Sequence, residues 1–192
     1  PRPNGQDIMV GDGGRIELFG RRYLRAASES GPEDGKDVMS GNDHGDYMFG
    51  GGYSDEMHGF EPKVAGPDPY RIDPLDGVAD NDVMLGDHGE ILFNEAEVPN
   101  RIEIVRTTYA GAGDTGRSDR MYGTFGNDVM FGGLNGSMDV IEGGVGQDIL
   151  LGDQGAIYFV DDAATAGEVE GDSNLDTLDL IRSFRDGLGG SD

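Results

Sequence analysis

One twelve-residue segment occurs three times in this chain and constrains its fold more than any other feature. It reads DIMVGDGGRIEL from Asp7, DVMLGDHGEILF from Asp82 and DILLGDQGAIYF from Asp148. The shared pattern is D-[IV]-[ML]-x-G-D-x-G-x-I-x-[LF], and the copies begin 75 and 66 residues apart. A variable stretch follows each copy, then an apolar-Arg-small signal: Leu24-Arg25-Ala26, Val105-Arg106-Thr107 and Ile181-Arg182-Ser183. An Asp-bearing turn comes next, at Asp37, Asp119 and Asp192. Repeated units of this length bury their apolar faces by stacking on their neighbours. Residues 1–192 are therefore expected to form a single repetitive region, with super-repeats starting near 7, 82 and 148. The first and last are incomplete, which fits a fragment of a longer chain.

A finer period lies inside each super-repeat. Asp37, Asp46 and Asp55 are nine residues apart, as are Asp119 and Asp128, and Asp139 and Asp148. Two residues after each repeat Asp stands a large apolar side chain: Met9, Met39, Met48, Met57, Met84, Met121, Met130, Ile141 and Leu150. A short strand after a turn points its middle residue to one side and that residue's neighbours to the other. The Met row is therefore expected to point inward and stack as a thin core, each residue contributing about 1.5–3 kcal/mol. Composition agrees with a chain of turns. Gly is 35 of 192 residues, and the acids are 26 Asp against 12 Glu. Asp and Gly are poor in helix interiors and good in turns. The formal charge of −24 leaves nothing to neutralise phosphates, so nucleic-acid binding is not expected. No apolar run is long enough for a membrane span, and with no Cys there are neither disulfides nor thiolate metal sites.

The turns GNDHGDYMF, GGGYSDEMH, GTFGNDVMF and GGVGQDILL resemble the glycine-rich nonapeptide repeats of RTX-type (haemolysin-type) secreted proteins, GGxGxDxUx with U a large apolar residue. GGVGQDILL matches every fixed position, GTFGND and GGGYSD each miss one glycine, and GVADND and DTGRSD depart further. The matching turns cover roughly half of the chain. The resemblance implies an all-β fold: a right-handed parallel β-roll, or β-solenoid, interrupted by loops. It also implies several calcium ions, each held between adjacent turns by carbonyl oxygens and the Asp of each turn. Carried over, Asp37 pairs with Asp55, Asp119 with Asp139, and Asp128 with Asp148. Asp46 and Asp82 line the opposite edge, and Asp7 opens the run. Asp12, Asp87 and Asp153, in the G-D-x-G segments, are open between ligation and capping a turn. Unneutralised carboxylates on adjacent coils would repel, and divalent cations would turn that repulsion into cross-links.

The G-D-x-G segments depart from the family pattern. Ile16, Ile91 and Ile157 stand where the next step would place an Asp, so ligation is expected to stop there. Phe19, Phe93 and Phe159 are expected to cover the exposed core. Residues 60–76 contain four Pro and read as an excursion loop. RIEIVRTTY alternates as a strand. Residues 161–175 read as an acidic loop, and DTLDLIRSF as a strand or one helical turn. Arg25, Arg106 and Arg182 are expected in structural ion pairs. No H-E-x-x-H, G-x-S-x-G, phosphate-loop or EF-hand pattern occurs, so catalysis is not expected. The function implied is structural: calcium-dependent folding and rigidity of a large secreted or cell-surface protein such as an adhesin stalk, surface layer or filament, with self-association or neighbouring repeats as partners. Two alternatives stand beside it: an accessory domain of a secreted hydrolase or toxin, and a glycan- or mineral-binding module.

Overall fold

The alternation after each repeat Asp produces short strands, and their flanking residues decide which sheet each strand joins. A computed structural model describes residues 6–20, 22–32, 34–41, 44–59, 81–93, 102–108, 117–134, 138–159 and 178–183. The elements there are fifteen strands, with no helix among the described residues. The first parallel sheet has the order β1 (Ile8–Val10), β5 (Tyr47–Phe49), β7 (Val83–Leu85), β11 (Val129–Phe131) and β13 (Ile149–Leu151). The second runs β12 (Val140–Val145), β10 (Arg120–Phe125), β6 (Glu56–His58) and β4 (Val38–Ser40), also all parallel. The third contains β15 (Leu178–Ser183), β14 (Gly155–Phe159), β9 (Ile102–Thr107), β8 (Gly89–Phe93), β3 (Arg22–Ser28) and β2 (Gly14–Phe19), paired antiparallel throughout.

This arrangement corrects the expected fold class. The molecule is all-β, but it is not a single parallel β-roll or solenoid: it has three sheets, and the largest is antiparallel. The physical reason lies in the G-D-x-G segments. Each continues into a strand of five or six residues, and each such strand (β2, β8, β14) pairs antiparallel with the long strand that follows it (β3, β9, β15). The hairpins add side by side into a sheet of their own, so the repeat runs through two kinds of sheet.

Two cores result. Between the parallel sheets lies a core built of Met39, Met48, Met57, Met84, Met121 and Met130, with Met9 and Ile141 packed against it. The inward Met row is as expected from the spacing, but Leu150, expected at its end, is 45% exposed and outside this core. Register pairs like with like: Met9 opposite Met48, Met48 opposite Met84, Met84 opposite Met130. The second core is one that the Asp spacing does not predict. Tyr47, Phe49, Val83, Leu85, Val129 and Phe131 point out of the other face of the first parallel sheet onto Ala26, Ile91, Phe93, Ile102, Val105, Ile157 and Phe159 of the antiparallel sheet. A parallel sheet is stable when both faces are covered, and here the hairpin sheet provides the second cover. Tyr47 and Tyr23 both tilt against Phe93, with ring centroids 5.5 and 5.7 Å away.

The G-D-x-G expectations divide. Ile91, Ile157, Phe93 and Phe159 are buried in the second core. Phe19 is not: it is 75% exposed. The strand pairings place Leu18 where Phe93 and Phe159 stand in the other copies. RIEIVRTTY does form a strand, β9, and DTLDLIRSF provides the strand β15. The excursion loop 60–76 and the loop 161–175 lie outside the described residues, as does Asp192.

The recurring Arg signal needs a second correction. Arg106 faces Glu90, and Arg182 faces Ala156, the equivalent position. In the first super-repeat that place belongs to Ala27, opposite Arg15, and Arg25 sits two residues earlier. Even so, Arg25 and Arg106 approach one carboxylate from either side. Arg25 Nε donates to Glu90 Oε2 at 2.6 Å, and Arg106 Nε and Nη2 hold Oε1. Glu90 is buried on β8, and the paired arginines neutralise it there. Arg25 and Arg106 thus make the expected ion pair, and they share it.

Candidate metal-binding turns

Each repeat Asp stands immediately before a strand of a parallel sheet, so the stacking of strands also stacks the carboxylates. Two ladders follow. Asp7, Asp46, Asp82, Asp128 and Asp148 precede the five strands of the first sheet, and Asp37, Asp55, Asp119 and Asp139 precede the four of the second. Within each ladder one carboxylate oxygen points along the stack. Asp55 Oδ1 accepts the backbone N–H of Asp37 at 2.8 Å, Asp119 Oδ1 that of Asp55 at 2.8 Å, and Asp139 Oδ1 that of Asp119 at 2.9 Å. In the other ladder Asp46 Oδ1 accepts from Asp7 at 2.6 Å, Asp82 Oδ1 from Asp46 at 2.8 Å, Asp128 Oδ1 from Asp82 at 2.8 Å and Asp148 Oδ1 from Asp128 at 3.1 Å. The pairs Asp37–Asp55, Asp119–Asp139 and Asp128–Asp148 are therefore brought together, and so are Asp46 and Asp82, although a long insertion separates them.

The second oxygen turns across to the glycine four residues after the preceding repeat Asp. A Cβ on Gly11 would lie 2.5 Å from Asp37 Oδ2, and one on Gly86 2.5 Å from Asp119 Oδ2. The same relation joins Gly41 to Asp46, Gly50 to Asp55, Gly59 to Asp82, Gly123 to Asp128, Gly132 to Asp139 and Gly143 to Asp148. A carbonyl from the adjacent coil reaches the same places: Gly50 O is 2.7 Å from the Cβ position of Gly11, and Gly132 O is 2.6 Å from that of Gly86. Only glycine leaves room for both oxygens.

The electrostatics follow from this burial. The Oδ2 atoms of Asp37, Asp46, Asp55 and Asp119 are buried and accept no hydrogen bond. Desolvation pushes the carboxyl of Asp46 up to about 6, that of Asp55 to about 7 and that of Asp119 to about 8. Neighbouring carboxylates add to the rise, Asp37 and Asp12 at Asp55 and Asp139 at Asp119, while the hydrogen bond from the stacked backbone N–H opposes it. Asp37 is raised in the same way, by burial first and by Asp12 second. A carboxylate with one satisfied and one bare buried oxygen needs a proton or a cation. The donors present are hard oxygens, which suit calcium and disfavour soft metals. Among the described residues no three carboxylates or imidazoles converge on one point. An ion here would therefore draw on turn carbonyls such as those of Gly50 and Gly132 as well as on the Asp.

The G-D-x-G acids are placed differently. Asp12 Oδ1 accepts from the N–H of Gly35 at 2.9 Å, and its Oδ2 from that of Gly52 at 2.8 Å. Both oxygens thus take part in shaping turns. Asp87 is buried beside Gly133 (φ 102°) as Asp12 lies beside Gly51 (φ 101°). Asp153 is half-buried after β13. A further row was missed: Asn127 donates its N–H to Asn81 Oδ1 at 2.8 Å, and Gln147 donates to Asn127 Oδ1 at 2.9 Å. Its signal is the amide residue just before Asp82, Asp128 and Asp148.

No protein-family model, no curated protein and no solved structure matches this chain, so the functional reading rests on its own residues.

Proposed function

We propose that this chain is a calcium-binding structural segment of a large secreted or cell-surface protein, folding and stiffening as ions enter the Asp turns. The observation that carries the reading is the row of buried carboxylate oxygens without hydrogen bonds at Asp37, Asp46, Asp55 and Asp119. A net charge of −24 makes stacking these turns costly until cations arrive. Asp37, Asp55, Asp119 and Asp139 would hold ions along one edge, and Asp7, Asp46, Asp82, Asp128 and Asp148 along the other. Calcium takes six to eight oxygens at about 2.3–2.6 Å, and extracellular modules bind it at about 10⁻⁴–10⁻³ M. Binding free energy then becomes folding free energy. A second reading, a metal-free scaffold, is favoured by the Oδ1 bonds, which hold the ladders without any ion.

Equilibrium dialysis against calcium, followed by ion counting, separates the two. Several ions per chain are expected, and fewer in Asp119→Asn. Less than one ion per chain at millimolar calcium would leave the metal-free scaffold as the function.

A further inference from the structure

The same segment is covered in two of its three copies and bare in the first. Ile91 on β8 and Ile157 on β14 are 0% exposed, whereas the equivalent Ile16 on β2 is 39% exposed. The difference is one missing neighbour. Among the described residues β8 lies between β3 and β9, and β14 between β9 and β15, but β2 has only β3 beside it. Leu18, at 54%, is exposed for the same reason. An open antiparallel edge carrying apolar side chains is a pairing site.

From this edge we infer that the chain forms a symmetric dimer in which β2 pairs antiparallel with β2 of a second copy. A two-fold axis at Ile16 sets Ile16 against the partner's Ile16, Arg15 against the partner's Glu17, and Leu18 against the partner's Gly14. Arg15 and Glu17 are both within reach of the outer face, since they already meet at 2.9 Å within the strand. Sliding the register by one residue is forbidden by the pleat, and sliding it by two sets Arg15 against Arg15 or Glu17 against Glu17. Charge therefore selects the Ile16-centred register. Such an interface is self-complementary, as a two-fold contact must be. It requires no bound ion.

The test is sedimentation equilibrium of the full chain in calcium buffer across a dilution series, with far-UV circular dichroism confirming that each variant keeps the wild-type fold. A monomer–dimer equilibrium is expected. Ile16→Lys should weaken it by about tenfold or more. Arg15→Glu and Glu17→Arg should each weaken it, and the double exchange R15E/E17R should restore it, since each new pair is again opposite in sign. A monomer at every concentration, or a dimer indifferent to all of these changes, would overturn the proposal.

Discussion

At the scale of single residues, Asp46, Asp55, Asp82, Asp119, Asp128, Asp139 and Asp148 each do two things with two oxygens. Oδ1 joins the ladder of backbone N–H groups, and Oδ2 closes its turn against a glycine. The spacing made the pairs Asp37–Asp55, Asp119–Asp139 and Asp128–Asp148 legible, because there two short coils in succession bring every second Asp together. The role of Asp12 was not legible, because its partners Gly35 and Gly52 lie far along the chain. The raised carboxyls give a pH prediction for chelated protein. Asp46, Asp55 and Asp119 have folded pKa values of about 6, 7 and 8, above the ordinary value of 3.8. The folded state therefore holds protons more tightly than the unfolded chain. The stability this supplies is complete below about pH 4 and is lost as pH rises through about 6 to 8. Thermal melts in chelator should show a falling melting temperature over that window, and calcium should reverse the trend. Asp119→Asn keeps the Oδ1 acceptor and removes the charge. It should stabilise chelated protein at about pH 8 and shrink the gain from calcium, as read by paired melts with and without the ion. Thr124 tests strain at the same scale. It has φ 77° and a buried hydroxyl without a hydrogen bond. Thr124→Gly should raise stability by about 1 kcal/mol in urea unfolding.

Among the elements, the short strands look alike at their centres and differ at their flanks. YMF, VML and VMF are apolar on both sides of the Met, while VMS, EMH and RMY are not. That contrast marks which parallel sheet is covered twice, and it was open to a reader of the sequence. What hid the antiparallel sheet is that IELF, ILF and IYFV look like simple extensions of a coil. Their partners lie beyond variable stretches, so only tertiary pairing reveals the hairpins. Glu90 anchors this sheet between Arg25 and Arg106. Removing its charge in Glu90→Gln should cost about 2 kcal/mol in urea unfolding, because charged hydrogen bonds to a buried oxygen are lost.

Across the whole molecule, one Met core and one aromatic-aliphatic core are stacked on either side of a single five-stranded sheet. Met84 and Met130 lie at the middle of that sheet and are 0% exposed. Met130→Ala should cost about 2–5 kcal/mol, measured in calcium by denaturant unfolding. Both parallel sheets end in the Asp turns, so neutralising the ladders should govern the Met core as a unit. Calcium titration of chelated protein at neutral pH, followed by far-UV circular dichroism with magnesium as control, tests this most directly. A cooperative gain of β signal specific to calcium is expected at about 10⁻⁴–10⁻³ M. A β signal unchanged between chelator and calcium would contradict it.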